Sequence, residues 1–320
     1  MGGSWMVGAL DAIAAETGWD PGTAADVIGT SAGAMVAGLL GTGMTPSQMR
    51  EDLLSGVADP VAKGARTRDP GGASYRIHWS FPRPLLGSPG LALRSLREPW
   101  RYGPAGIVAW LPQGVISTEP LKDLIRRRLP VGWSPHPGLW VVATDYRSGD
   151  RVVFGREGAR SAHLADAVAA SCAIPGFYHP VTIGGRRYVD GGLRSQSNLD
   201  LAAATSADLV ICLNPMSSEY RGHGLGPTSR IAALIRGTVG ERLAMEADEV
   251  RRAGKRVELL EPNADDVAAM GFNFMSTAHR AEVLETAMRT TAAAIRSSGL
   301  ARVLGGLAED QGDQAARAGA

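Results

Sequence analysis

Residues Gly29-Thr30-Ser31-Ala32-Gly33 place the tightest constraint on how this chain folds. They follow a short apolar run, Val27-Ile28, and open a stretch of helical character from Ala32 to Leu40. A G-x-S-x-G between a strand and a helix describes a turn so sharp that only small residues fit beside the serine, and glycine tolerates the backbone angles it demands. The serine then stands at the carboxyl end of the strand, above a helix N-terminus. That helix end favours negative charge, which a hydroxyl attacking an acyl group generates. Ser31 is therefore the candidate nucleophile, and Gly29, Thr30, Ala32 and Gly33 form its elbow.

Hydrophobic spacing assigns most of the remaining elements. Trp5, Met6, Ala9, Leu10 and Ile13 recur at helical intervals over Ser4 to Thr17, and Gly18 ends the run. Thr45-Pro46-Ser47 opens a second helix, and Leu121, Leu124 and Ile125 line one face of a third from Glu119 to Leu129. Leu139 to Thr144 and Arg151 to Phe154 read as strands about a Ser148-Gly149-Asp150 turn. His163 to Ser171 reads as a helix. Val181 to Ile183 and Arg186 to Val189 form a hairpin about Gly184-Gly185. Asp208 to Leu213 and Arg256 to Leu260 are strands, and helices are expected over Ser229 to Ala253 and Thr277 to Ile295. Helices alternating with buried strands predict an α/β fold of three layers, a mainly parallel central sheet with helices on both faces. The expected domain runs from 1 to 304. It carries a lid or insertion over 66–111, a mostly helical part over 216–304, and a flexible tail over 305–320.

Composition narrows the function classes. A net charge of +1 over 320 residues gives no electrostatic signal for nucleic acid. No apolar run reaches the length of a membrane span, and no basic-then-apolar leader opens the chain, so a cytoplasmic protein with at most peripheral membrane contact is expected. Cys172 and Cys212 lie in apolar segments and read as buried reduced thiols, with no metal site implied.

A serine hydroxyl needs a base, usually a histidine oriented by a carboxylate. None of His78, His136, His163, His179, His223 and His279 sits in a recognisable motif. Only thirty residues precede Ser31, too few for the strands that come before the nucleophile in an α/β-hydrolase. Asp190-Gly191-Gly192, at the end of the hairpin strand, is the better partner. It projects a carboxylate from a strand end, with two glycines that let another loop approach.

Taken together, these residues resemble the patatin-like phospholipase family. Gly29 to Gly33 matches its G-x-S-x-G. Ala169-Ala170-Ser171-Cys172-Ala173-Ile174-Pro175-Gly176-Phe177-Tyr178-His179-Pro180 is similar to its A-S-x-A-x-P block, and Tyr188-Val189-Asp190-Gly191-Gly192 to its D-G-G block. Gly3 to Leu10 resembles the helix after its glycine-rich loop. The resemblance implies a patatin-like fold and a Ser31–Asp190 dyad that hydrolyses lipid acyl esters through an acyl-enzyme, with no metal or organic cofactor. It also implies an oxyanion loop. Gly3 matches the last glycine of that loop, and Gly2 stands where a basic residue is usual. The chain opens inside the loop, which leaves two readings, a start upstream of Met1 or a shortened form of impaired stability or activity. The intact remainder of the pattern favours the first.

The motifs leave three activities open: hydrolysis of a lipid or other acyl ester, acyl transfer to an alcohol on the same dyad, and lipid binding by a catalytically impaired site. Trp79, Trp100 and Trp110 in the 66–111 segment raise the expectation of a flap or membrane-docking surface. Oligomeric state, head group and acyl-chain length leave no trace in the sequence.

Overall fold

The first helix, α1 (Gly2–Thr17), is buried over most of its circumference from Ser4 to Ile13, as befits a helix inside the protein rather than on it. Gly18, at φ +70°, ends it by turning its N–H back to Ala14 O. The computed structural model describes residues 1–56, 67–68, 74–75, 87–97, 110–218, 227–271 and 279–318. After α1 come β1 (Val27–Thr30), α2 (Ala32–Gly41) and α3 (Pro46–Leu54), the last opened by a reciprocal Thr45–Gln48 cap. Helices α4 (Pro89–Arg97) and α5 (Glu119–Arg126) lead to β2 (Leu139–Asp145) and β3 (Arg151–Phe154). Helix α6 (Leu164–Ser171) precedes the hairpin β4 (Val181–Ile183) and β5 (Arg186–Asp190). Then follow β6 (Leu209–Leu213), α7 (Pro227–Arg252), β7 (Arg256–Leu260), α8 (Ala264–Met270), α9 (Arg280–Ser298) and α10 (Leu300–Ala318).

Strand register brings two distant chain segments together. Val141 pairs with Gly29 of β1 and with Phe154 of β3, so β1 and β3 lie on opposite edges of β2. Ala143 pairs with Val152 of β3 and with Asp190 of β5, so β5 also lies opposite β3. Strands β1 and β5 therefore share one edge of β2. One runs parallel to it up to Val142, and the other antiparallel down to Ala143. Their carboxyl ends meet head to head.

The five-stranded sheet of β1 to β5 is mixed rather than mainly parallel, which corrects the expectation from sequence. Its β1/β2 pair is parallel, while β2/β3, β2/β5 and β4/β5 are antiparallel; β6 and β7 form a separate parallel pair. The connections explain this. The short turns after β2 and β4 can join only antiparallel strands, whereas β6 reaches β7 through the crossover helix α7. Gly184 and Gly185 both have positive φ, as a two-residue hairpin turn requires.

Side-chain alternation divides the interior into two layers. Leu209, Ile211 and Leu213 of β6 pack with side chains of α1, α2 and α9, whereas Val210 and Cys212 pack with Leu243, Ala247 and Val250 of α7. Val27 and Ile28 of β1 divide in the same way. Helices thus cover both faces. Residues 305–318, expected to be a flexible tail, continue α10, whose Leu300 and Leu304 are buried four residues apart in the α1/α9 layer. Most of 66–111, including Trp79 and Trp100, lies outside the described residues. Within that span the structure describes α4 and a two-residue ribbon, Thr67–Arg68 with Ser74–Tyr75.

Helix α1 meets α9 closely at Gly8, where an added Cβ would lie 2.5 Å from Leu284 O and 3.0 Å from Ala287 Cβ. A Gly8→Ala change gains about 1 kcal/mol of helix propensity, but overpacking costs about 1–3 kcal/mol. The obstacle is a backbone carbonyl that cannot rotate away, so a net loss is expected, seen as a lower urea midpoint at unchanged slope. An unchanged midpoint would mean that the two helices part freely.

Candidate active site

Because β5 occupies the edge position immediately ahead of β1, the chain must leave the sheet abruptly at Ser31. It does so with φ +54° and ψ −123°, one of two positive-φ residues other than glycine among those described. Such a conformation costs on the order of 1–3 kcal/mol and persists only where the surroundings hold it. The hold comes from a three-residue run at the end of α6. Ser31 N–H donates to Ser171 Oγ (2.9 Å), and that hydroxyl donates to Val142 O (2.6 Å), where β1 ends against β2. Cys172 Sγ–H donates to Ser31 O (3.0 Å), which also accepts the Ala34 and Met35 N–H groups of α2. Ala173 O accepts Asp190 N–H (3.0 Å). The block that resembles A-S-x-A-x-P thus bonds to both halves of the site, Ser171 and Cys172 to Ser31 and Ala173 to Asp190, in contacts 17 to 141 residues apart that no local pattern encodes.

The two side chains meet at this junction. Ser31 Oγ–H donates to Asp190 Oδ2 at 2.8 Å, and the second carboxylate oxygen accepts Gly192 N–H at 2.7 Å. Asp190 is 6% exposed, and Thr144 Oγ1–H donates to its carbonyl (3.0 Å). Burial pushes its carboxyl up to about 6, while hydrogen bonds from Gly192 N–H and Ser31 pull the other way. The group is thus poised to exchange a proton near neutral pH. Each described histidine is engaged elsewhere: His136 with Ala24 O, His163 with Gly132 N–H, His179 with Pro180 O, and His279 with Glu282. His78 and His223 lie outside the described residues. Cys172 and Cys212 are free thiols, both pushed up by burial, Cys212 to about 12.

The glycines differ in what they permit. A Cβ on Gly29 would stand 2.6 Å from Gly33 O, 2.7 Å from Ala34 Cα and 2.8 Å from Ala37 Cβ, so β1 and α2 touch through a bare backbone. On Gly191 it would lie 2.4 Å from Val142 O, at the head-to-head junction. On Gly192 it would face Gln196 Oε1 at 2.8 Å and Asp190 Oδ1 at 3.0 Å. Gly33 is different. A Cβ there meets only Met6 Sδ at 3.8 Å, so the second glycine of the elbow is not sterically required. Gly2 and Gly3 form the first turn of α1 rather than a loop, Gly2 against Pro215 and Gly3 with free space around it. Met6, one turn further on, reaches the Gly33 position, so the first turns of α1 and α2 are neighbours. Thr30 is buried behind the elbow, and Ala32 opens α2 beside it.

Gly29→Ala is expected to destabilise the fold by about 1–3 kcal/mol or more and to abolish Ser31 labelling by a fluorophosphonate. Gly33→Ala should leave both within error. Thermal melts and labelling rates compare the two, and equal behaviour of both variants would contradict the steric asymmetry.

Among the described residues, no helix is long and apolar enough to cross a membrane. The model of the patatin-like phospholipase family matches residues 1–203. That span holds the strained serine, the Ser171–Ala173 clamp and the buried carboxylate, and it exceeds half of the 320-residue chain. The chain belongs to the patatin-like phospholipase family.

Proposed function

We propose that the protein is a serine lipid acyl hydrolase in which Ser31 is the nucleophile and Asp190 the base. The observation that carries this reading is the 2.8 Å hydrogen bond from a strained, half-buried Ser31 to a buried carboxylate. Asp190 Oδ2 takes the Ser31 proton as Ser31 Oγ bonds to the ester carbonyl carbon. The resulting oxyanion faces the N-terminus of α2, where the first-turn N–H groups, Ala32 and Gly33 among them, have no acceptor within the helix. Gly2 and Gly3, in the adjacent first turn of α1, are the second source of donors. Ser31 N–H, engaged by Ser171 Oγ, serves the elbow instead. Collapse of the tetrahedral intermediate expels the alcohol, which receives the proton held by Asp190. Water then gives a proton to the same carboxylate as it adds to the acyl-enzyme, and collapse of that second intermediate breaks the bond to Ser31 Oγ, which takes the proton back from Asp190 as the fatty acid leaves. The chemistry assigns no step to a metal or organic cofactor.

A carboxylate is a weaker base than imidazole, and burial narrows that difference by raising Asp190 to about 6. Exposed apolar side chains lie on or against the segment that follows the Ser171–Ala173 run: Ile174 is 39% exposed two residues beyond Cys172, and Leu111, also exposed, lies against Gly176. Trp110 beside it is also exposed. Such side chains would suit an acyl chain and peripheral contact with a lipid surface. An alcohol taking the place of water would make the same site a transferase.

The test is turnover of a p-nitrophenyl acyl ester by Ser31→Ala and Asp190→Asn, each checked for folding by circular dichroism. Loss of at least a thousandfold in both is expected. A folded Ser31→Ala variant with wild-type turnover would refute the assignment. So would a wild-type protein that binds the ester without cleaving it, which would mark a lipid-binding module.

Two consequences of pH follow. The base must be ionised, so kcat/KM should fall about tenfold per pH unit below about 6. The folded carboxyl lies above its unfolded value, so its contribution to stability is fully present below about pH 4 and is lost as pH rises through about 6. The shift of about two units corresponds to roughly 3 kcal/mol at most. Asp190→Asn should therefore raise the melting temperature at pH 8 and leave it nearly unchanged at pH 4. A lower melting temperature at pH 8 would contradict the burial argument.

A further inference from the structure

Eight residues beyond Asp190 the chain returns to the other side of the elbow. Asn198 is completely buried and adopts φ +50°, the second positive-φ residue other than glycine among those described. Its backbone N–H donates to Ser195 Oγ (2.9 Å), and its side-chain amide donates to Ser195 O (2.6 Å) and to Thr30 Oγ1 (3.1 Å). Its Oδ1 accepts from Arg151 Nη1 (3.2 Å), and that guanidinium forms a bidentate pair with Asp200 at 2.7 Å on each arm. The residues on either side are held as firmly. Ser197 Oγ–H (2.7 Å) and Leu199 N–H (2.9 Å) both donate to one oxygen of Glu246, a carboxylate of α7 that is 2% exposed. Arg242 Nε donates to its other oxygen at 2.9 Å.

Asn198 caps the short helical turn Leu199–Ala204, but its side chain makes no capping bond there. Instead the buried amide joins three segments: its own loop at Ser195, β3 at Arg151, and β1 at Thr30, immediately before the strained serine. Asparagine tolerates the left-handed backbone better than other side chains, and its short amide can donate to two acceptors at once. The same loop descends directly from Asp190, through the short helical turn Gly191–Leu193. One end of the 190–198 segment thus carries the carboxylate, and the other is bonded to the residue that presents the hydroxyl.

We propose that Asn198 is a positioning residue for ester cleavage: by tying the Thr30 hydroxyl to the loop that follows Asp190, it fixes the separation of Ser31 Oγ and Asp190. Glu246 and the Arg151–Asp200 pair anchor that loop to α7 and β3. The tie opposes the relaxation that a strained serine would otherwise undergo, since a shift of about 1 Å in a reacting group costs about a hundredfold in rate. The inference rests on the hydrolase reading above.

The test uses Asn198→Gly, which accepts φ +50° without strain and removes only the amide, and Thr30→Val, which removes the acceptor from the other side. In p-nitrophenyl ester hydrolysis each should lower kcat tenfold or more with KM within twofold. The double variant should lose no more than the worse single one, because both remove one contact. A residue needed only for folding would instead lower the amount of folded protein and leave kcat per folded site intact. Should Asn198→Gly fail to fold, Thr30→Val decides alone. A kcat within twofold of wild type in a folded single variant, or losses that multiply in the double, overturns the proposal. Ser31→Ala in the same assay separates the two levels. If it is inactive while both positioning variants keep wild-type kcat, only the Asn198 inference falls. If it keeps wild-type turnover, the hydrolase reading falls and the Asn198 inference with it.

Discussion

Two strands that end against each other on one edge of β2 are the constraint on which the rest of this protein depends. β1 arrives in parallel at Val142 and β5 in the opposite sense at Ala143, leaving no further place on that edge for either chain. Both must turn out of the sheet at the same level. Ser31 does so through a strained backbone, and Asp190 through a helical turn opened by two glycines. The hydroxyl and the carboxylate therefore meet because the ladder positions behind them are adjacent. The lack of a side chain at Gly29 and Gly191 follows from the same crowding, since a Cβ at either would strike neighbouring backbone.

The junction is unfavourable in isolation. It holds a serine in a sparsely populated conformation and buries a carboxylate, and among the described residues no cation is paired with that carboxylate. What stabilises it is a dense set of hydrogen bonds from separate parts of the chain. Ser171 and Cys172 hold the backbone of Ser31, Ala173 and Thr144 hold that of Asp190, and Gly192 N–H holds the carboxylate itself. Val142 and Ala143 at the centre of this set belong to β2, which is buried almost throughout. A rigid strand is a better reference point for the hydroxyl and the carboxylate than a loop would be. In the proposed reaction the stability given up at Asp190 has a return, since a carboxyl at about 6 is a better base than an exposed aspartate.

Much of the architecture was legible in the residues. The helix of α1, the strand–elbow–helix around Ser31, the Gly184-Gly185 hairpin and the strands β2, β3, β6 and β7 each carry a local period or turn signal, and the structure has elements there. Local signals fail where packing decides. Residues 305–318 are small and polar, yet Leu300 and Leu304 anchor them as a helix in the α1/α9 layer. The two short turns mark β2/β3 and β4/β5 as antiparallel, but the antiparallel β2/β5 pair joins distant segments and has no local signature, so the expectation of a mainly parallel sheet fails there. Gly33 looks as necessary as Gly29 in the motif, but the two have different surroundings. Asn198 sits in a polar run, Ser195 to Asn198, that reads as an ordinary loop, and nothing in it points to a partner 168 residues away.

The amino-acid order alone marked most of the helices and strands, a serine displayed at a strand end, and an aspartate at the end of a hairpin strand ahead of two glycines. Those features depend on side-chain periodicity and backbone freedom over a few residues, which any stretch of chain expresses locally. Only the tertiary structure decided that the two groups face each other at hydrogen-bonding distance, that burial pushes the carboxyl up to about 6, that Ser171 and Cys172 bond to Ser31, and that Asn198 bonds to Thr30. Distance, burial and pKa depend on atoms brought together from positions far apart in the chain, and these have no value until the strands have paired.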